Sequence, residues 1–330
     1  MTLDSKPGQL AIVIPVWNLP GDLADLLWQV AEMGIFSQVV IADDSSELEC
    51  SPEALGLNDL KTTLDVVYLR STVQRGAGHA RNTGLQAVTR PNVLFFDADD
   101  RLCDALPQIW QQHLDADCPD FTIFRHSDTR VEDSEGRRGT FPTEEAMWEK
   151  ALAGRATSLL SAQERADLAL ISAYPWNKFY RTDFLRDHDI TCSETPVHND
   201  IRLHWLSFLK ATKVQASSLI GAQHVIGDRS HHLTTRKGSD RLCLAPILEE
   251  LTLQIRNTRG NGLIMPRFIQ FVHNICRWNL NNVDDDLIPA FRNIALESYL
   301  RFTAAEFQLF SMQQPDHAAE IVKFLLTEGD

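Results

Sequence analysis

The sequence predicts an α/β protein with an open, mostly parallel sheet flanked by helices and followed by a helical C-terminal region. Short continuous apolar runs rich in β-branched residues are typical of parallel strands covered on both faces. Apolar residues at helical spacing lie between these runs. Polar and acidic residues directly follow several of these runs. In open α/β sheets the ligand site lies along the edge formed by the carboxyl ends of the strands.

The first predicted strand covers residues 10–14 and the first helix spans Leu23 to Val30, ending at Gly34. Further strands are predicted at 39–42, 66–69, 93–96 and 121–124, and a helix is predicted from about Arg75 to Val88. A helix is also expected to begin near Leu102. The alternation of strand and helix specifies the open sheet.

Three segments are expected along the chain. Residues 1–125 form a ligand-binding half, 126–240 a second half of the same domain, and 241–330 a helical region. The polar stretch 126–140 is predicted to be a hairpin tip or a mobile loop.

Composition excludes several classes of protein. The 330 residues are 44% hydrophobic and 23% charged, and the formal net charge is −14. Nucleic-acid binders carry clustered Lys and Arg, so nucleic acid is not an expected partner. A local basic stretch nevertheless lies at 229–237. It is either a solvated loop or a segment that meets an anion.

The six cysteines, at 50, 103, 118, 192, 243 and 276, have no regular spacing and form no CxxC pair. Neither a zinc ribbon nor a disulfide framework is therefore indicated, and free thiols in a reducing cytoplasm are expected. No stretch reaches the roughly 20 apolar residues of a membrane span. A cytoplasmic location follows, with peripheral contact at the inner membrane face left open.

The strongest chemical motif is acidic. Val93 to Phe96 lead directly into Asp97, Asp99 and Asp100, a pattern that core packing alone does not require. Residues two apart point the same way from extended backbone, so Asp97 and Asp99 can share one face. Hard oxygen ligands suit Mg²⁺ or Mn²⁺ bound to a phosphorylated ligand, whereas Asp100 either completes the metal site or caps a helix.

Two further motifs are weaker. Asp43 and Asp44 follow a strand, where one of them is either a turn cap or a nucleoside contact. Arg75, Gly76 and Arg81 surround a helix start, which suits an anion or a solvated basic surface. The spacing is not the GxGxxG fingerprint, because Arg81 holds the third glycine position.

In order, the motifs IPVWN at 14–18, DDSS at 43–46, RGAGHARNTG at 75–84 and FDADD at 96–100 resemble the nucleotide-sugar-binding half of a family 2 glycosyltransferase with the GT-A fold. The resemblance implies that Pro15, Trp17 and Asn18 line the nucleotide pocket. It also implies that Asp44 contacts the base, that Arg81 faces the nucleotide, and that Asp97 and Asp99 form the metal-binding DxD motif. A His of the late basic segment, here His232, would complete the metal site.

The resemblance also implies a general base after the sheet, where the family often has Glu-Asp. The matching residues here are Asn199 and Asp200, so Asp200 is the candidate base and a helix cap is its alternative. Trp176, Asn177, Lys178 and Asn199 are the candidate acceptor-binding residues. Trp176 is either core or a platform for a sugar ring.

The expected activity is transfer of a single sugar from a nucleotide diphosphate sugar, with a UDP-sugar favoured, to a hydroxyl of a glycan or lipid-linked glycan. Mn²⁺ or Mg²⁺ is the expected cofactor and inversion the implied stereochemistry. No QxxRW motif of processive synthases is present. A non-catalytic sugar-binding protein on the same fold and a haloacid dehalogenase-like phosphatase are the alternatives. A homodimer through the C-terminal helices is left open.

Overall fold

The computed structural model describes residues 9–116, 119–226 and 237–328. Within these ranges the strands join into one mixed sheet in the order β3-β2-β1-β4-β8-β6-β9-β5, and β7 pairs with β9. The strands are β1 Leu10–Val16, β2 Gln38–Asp43, β3 Asp65–Arg70, β4 Asn92–Phe95, β5 Arg101–Leu102, β6 Phe121–Asp128, β7 Thr157–Leu159, β8 Lys178–Arg181 and β9 Val214–His224.

The strands β3, β2, β1 and β4 are parallel to one another. Strand β8 runs antiparallel between β4 and β6, and β6 and β9 are again parallel. The predicted fold class is therefore confirmed, with antiparallel strands added in the second half. Because β1, β2 and β4 all end at one edge, the polar residues that follow them are brought together.

Helices cover the sheet and form the end of the chain. They are α1 Pro20–Met33, α2 Ala77–Ala87, α3 Leu106–Asp115, α4 Thr129–Glu135, α5 Pro142–Leu152, α6 Ala162–Leu168, α7 Thr182–Asp187, α8 Ile201–Lys210, α9 Leu244–Arg256, α10 Ile264–Leu280, α11 Ile288–Leu300, α12 Ala304–Gln313 and α13 Pro315–Glu328. Helix α1 ends as predicted at Gly34, which adopts the left-handed φ of 65°.

Two local predictions are wrong. The stretch 126–140 is neither a hairpin tip nor an irregular loop, because β6 continues to Asp128 and α4 follows it. Asp128 ends the strand and caps that helix by accepting a hydrogen bond from the Arg130 amide. The chain after the acidic motif forms the short strand β5, which pairs with β9, and the helix begins only at Leu106.

Apolar residues on the two faces of the sheet form separate clusters. One includes Leu10, Ile12 and Ile14 under α1. The other includes Val13 and continues into the C-terminal helices. Within the described residues, no helix is both long and apolar enough to cross a bilayer. The homodimer and the membrane contact remain predictions.

Candidate active site

The loop after β1 is joined to the loop after β2. Asn18 donates its backbone N–H to Ser46 Oγ at 2.9 Å and accepts a hydrogen bond from the Glu47 amide at 2.7 Å. Pro15 is buried within β1, Trp17 is half-buried and Asn18 is exposed. The joined loops leave Trp17 and Asn18 at the edge where the nucleotide pocket is predicted.

The two aspartates after β2 have different partners. Asp43 accepts hydrogen bonds from the Ser46 amide at 2.8 Å and from the Tyr68 hydroxyl at 2.6 Å, so it stabilises the turn. Asp44 accepts from the backbone amides of Arg75 and Gly76 at 2.8 and 2.6 Å. The amides of the two residues just before helix α2 are therefore engaged by a protein carboxylate. The contact of Asp44 with a base stays a prediction.

Helix α2 lies very close to the segment that carries the candidate base. A Cβ atom on Gly78 would collide with the Ser193 carbonyl oxygen, so only glycine allows this contact. Asn82 exchanges two hydrogen bonds with the backbone of Cys192, at 3.0 and 2.9 Å. These contacts hold the following residues, 198–200, against α2.

Arg81 lies at the centre of the site. It is only 5% exposed, and it donates to Asn199 Oδ1 at 2.6 Å and to Asp97 Oδ1 at 2.5 Å. A buried guanidinium requires such partners, and its planar fork suits two acceptors. Burial lowers the pKa of Arg81, but the Asp97 carboxylate outweighs it and the pKa is raised overall. One cation thus connects three of the predicted motifs.

Asp200 precedes helix α8 but does not cap it through its side chain. The helix-cap alternative is therefore not supported. Burial raises the pKa of Asp200 to about 6, while the nearby cations of Arg81 and Lys178 oppose the rise and the Asp97 charge adds to it. A carboxylate with such a pKa is largely ionised at neutral pH and is still basic enough to accept a proton.

The three aspartates after β4 are not equivalent. Asp97 and Asp99 are half-buried, and the side chain of Asp97 is 27% exposed. Asp100 is buried and accepts hydrogen bonds from His224 Nδ1 and the Val225 amide, both at 2.9 Å. Burial raises the pKa of Asp100, and its carboxylate raises that of His224 against the effect of burial. Asp100 therefore ties the acidic loop to the end of β9.

The described residues contain no group of three or more His, Cys, Asp or Glu side chains arranged to hold a metal. His232 lies outside the described residues. Asp97 and Asp99 offer two carboxylates at the sheet edge, which fits an ion of the Mg²⁺ type because such ions usually take one or two carboxylates and complete their shell with phosphate and water. These two residues could hold a cation together with a bound diphosphate.

The residues predicted to meet the acceptor are mostly buried. Trp176 is 1% exposed and stacks on Tyr174 with ring centroids 4.5 Å apart. Asn177 and Lys178 are fully buried, and Lys178 Nζ donates to Asn177 Oδ1 at 2.7 Å. Burial lowers the pKa of Lys178 to about 7. The core alternative for Trp176 is favoured, and Asn199 binds Arg81 instead of facing solvent.

Sequence reasoning missed a cluster that includes His198, two residues before Asp200. His198, Arg241 and Asn279 are joined through the Asn279 side-chain oxygen, and Trp278 lies against both His198 and Arg241. The four residues are too far apart in the chain to form a motif. No local sequence signal marks them, because α10 carries polar residues along its whole length and Arg241 lies beside Ser239 and Asp240.

The fold is that of glycosyltransferases with the GT-A architecture. Residues 11–168 match the family model described as glycosyl transferase family 2, which confirms the family that the four motifs resemble. None of the curated protein sequences compared with the chain matches it.

Solved structures extend the likeness over nearly the whole chain. Staphylococcus aureus TarS 1–349 in complex with UDP-GlcNAc is 15% identical, with a TM-score of 0.75 covering 96% of this chain and 88% of that one. A longer TarS structure is also 15% identical, with a TM-score of 0.73, and the match covers 97% of this chain and 53% of that one. The mannosyltransferase PcManGT from Pyrobaculum calidifontis, in complex with GDP-Man and Mn²⁺, is 13% identical, with a TM-score of 0.55 and coverage of 98% and 89%. At these identities the likeness shows the fold.

Proposed function

We propose that the protein transfers one sugar from a nucleotide diphosphate sugar to a hydroxyl of a glycan or lipid-linked glycan, with Asp200 as the general base. The observation that carries the proposal is the bridge made by Arg81 between Asp97 and Asn199, with Asp200 adjacent. It joins the predicted donor residues to the predicted base at one edge of the sheet.

On the donor side, cleavage of the bond between sugar and phosphate leaves negative charge on a nucleoside diphosphate. A divalent cation bound at Asp97 or Asp99 would stabilise that leaving group. The TarS complex with UDP-GlcNAc and the PcManGT complex with GDP-Man and Mn²⁺ support a donor and an ion of these kinds. We favour a UDP-sugar and Mn²⁺ or Mg²⁺. Arg81 orients Asp97 through the ion pair between them.

On the acceptor side, Asp200 removes the hydroxyl proton as the new bond forms. Its pKa of about 6 leaves most of the carboxylate deprotonated at pH 7. A base that deprotonates an acceptor hydroxyl on the face of the sugar opposite the leaving group would favour inversion at the anomeric carbon. Asn199, which replaces the family's Glu, holds Arg81 and leaves the proton transfer to Asp200.

A thermal-shift experiment with UDP and GDP, each with and without MnCl₂, tests the donor site. We expect the melting temperature to rise only when nucleotide and Mn²⁺ are both present, because binding to the folded state stabilises it. Asp99→Ala should remove the increase. The exposed Asp104 lies just after β5, five positions along the chain, so Asp104→Ala is the matched control. An increase that is unchanged in Asp99→Ala would refute the metal assignment.

Turnover separates an enzyme from a binding protein. Nucleotide sugars are incubated with the protein and release of the nucleotide is measured, with and without oligosaccharide acceptors. Turnover by the wild type and its loss in Asp200→Asn support the transferase. Tight binding of the nucleotide sugar without turnover in either protein would favour the non-catalytic alternative.

A further inference from the structure

Trp278 differs from the tryptophan that the sequence indicated as a sugar platform. It lies near the end of α10 and is 40% exposed, whereas Trp176 is 1% exposed. An exposed tryptophan offers a large, rigid apolar surface with a polar edge, which suits contact with a sugar ring. Exposure alone does not assign a role to Trp278, so the contacts of its side chain must supply the evidence.

The indole ring of Trp278 is held in a fixed orientation. The Arg241 guanidinium carbon lies 4.4 Å from the ring centroid, and Arg241 itself is only 2% exposed. Arg241 also donates to Asn279 Oδ1 at 3.0 Å. The buried cation attracts the ring through its π electrons and limits its rotation. A ring that is already ordered loses little entropy when a ligand packs against it.

The same cluster reaches the segment that carries the candidate base. The ring of His198 meets that of Trp278 edge to face, with centroids 6.4 Å apart, and His198 Nε2 lies 3.3 Å from Asn279 Oδ1. Only one residue separates His198 from Asp200, so their Cα atoms are at most about 7.6 Å apart. The Cys243 thiol donates to the Val197 carbonyl at 3.3 Å and adds a second connection between the helical region and this segment.

We propose that the exposed part of Trp278 stacks against a pyranose ring of the glycan acceptor and so presents an acceptor hydroxyl to Asp200. The inference rests on the proposed transferase function and adds the residue that positions the acceptor. A pyranose ring has faces of C–H bonds that pack on an indole, while its hydroxyl groups extend from the edge toward a base. Arg241 and His198 set the position of the platform relative to that base.

The test measures binding of defined probes by calorimetry in the presence of UDP and MnCl₂. The probes are chitotetraose, cellotetraose and maltotetraose, and sorbitol serves as a polyol without a ring. We expect at least one tetrasaccharide to bind the wild type and sorbitol not to bind. Trp278→Ala should weaken that binding about tenfold. Trp278→Phe keeps an aromatic face for Arg241 and should lose about threefold in affinity.

Trp28 supplies the matched control. It is 55% exposed on α1, remote in sequence from the Trp278 cluster, so Trp28→Ala should bind the tetrasaccharide as the wild type does. The proposal is overturned if no tetrasaccharide binds the wild type, if sorbitol binds equally well, or if Trp278→Ala keeps full affinity. Should Trp278→Ala fail to fold, a Trp278→Phe variant with affinity equal to or better than that of the wild type would overturn it.

Donor binding distinguishes a failed inference from a failed function. We expect stabilisation by UDP and Mn²⁺ to be the same in Trp278→Ala and the wild type. If UDP stabilises both proteins while Trp278→Ala binds the tetrasaccharide as the wild type does, the assignment of Trp278 as the acceptor platform is wrong. The transferase proposal then still stands. If no nucleotide stabilises the wild type, the proposed function itself fails.

Discussion

The donor side and the acceptor side of the site are built in different ways. On the donor side, Asp44 directly follows β2 and Asp97 lies two residues after β4. These two parallel strands flank β1, and Arg81 lies on helix α2, which precedes β4. On the acceptor side, His198 meets Asn279 across 81 positions of the chain, and Arg241 meets it across 38. Local motifs form the first side, and packing of the C-terminal helices forms the second.

Arg81 is the residue at which the two sides meet. It binds Asp97 from the donor side and Asn199 from the acceptor side. The difference between the sides teaches that the proposed donor residues belong to local sequence motifs, whereas the proposed acceptor residues are brought together only by distant helices. Each of the following changes is designed to separate the two sides or to weaken their connection.

Asp200→Asn should have the largest effect. Loss of the general base lowers kcat by about 10²- to 10⁴-fold. Donor binding, measured as stabilisation by UDP and Mn²⁺, should persist. Because the pKa of Asp200 is about 6, wild-type kcat should rise with pH through that value as the carboxylate loses its proton, and the variant should lack this rise. The exposed Asp183 gives the control Asp183→Asn, and equal losses in both variants would contradict the assignment.

Arg81→Ala should affect both sides at once. It leaves Asp97 and Asn199 without their shared donor, and breaking a buried ion pair costs about 3–5 kcal/mol. We expect about 3 kcal/mol in the free energy of unfolding, measured with urea, because the Asp97 side chain is partly exposed. Nucleotide binding should weaken as well.

Arg75→Ala is the control for Arg81, since the exposed side chain of Arg75 pairs with Glu194 at the surface. Exposed pairs contribute about 0–1 kcal/mol, so this variant should be nearly as stable as the wild type. Similar destabilisation in the two arginine variants would show that Arg81 does not connect the two sides.

Lys178→Met tests the buried amine of Lys178, whose charge acts on Asp200. The folded protein releases the Lys178 proton near pH 7, whereas the unfolded chain keeps it to about 10.5. The unfolded state therefore binds more protons between these values, and the free energy of unfolding should rise by roughly 2 kcal/mol between about pH 7 and about pH 8.5. The variant should lack this rise, and exposed Lys150→Met should keep it. A rise that persists in Lys178→Met would contradict the buried titration.

Asp100→Asn should have the smallest effect. It removes the charge next to His224 and weakens the connection between the acidic loop and β9, at a cost of about 1–2 kcal/mol. Stabilisation by UDP and Mn²⁺ should remain, since Asp97 and Asp99 are the proposed ligands. The pKa of His224, followed by NMR, should fall because the carboxylate that raises it is gone. Loss of the Mn²⁺ effect would instead make Asp100 a ligand.

The strands that precede the proposed donor residues could be predicted from the sequence, because they are visible as continuous apolar runs. The strands β7, β8 and β9 were missed, since Val214–His224 carries polar residues and lacks a continuous apolar run. Trp176 was indicated by its polar neighbours, yet these neighbours are buried with it. Trp278 could not be found from the sequence, because its position beside His198 depends on how α10 packs.

A crystal structure of the protein with UDP and MnCl₂ tests the central claim most directly. We expect the diphosphate at the edge formed by Arg81, Asp97 and Asp200, with an anomalous manganese peak in contact with a carboxylate oxygen of Asp97 or Asp99. Nucleotide bound away from this edge, or manganese bound away from both aspartates, would contradict the account.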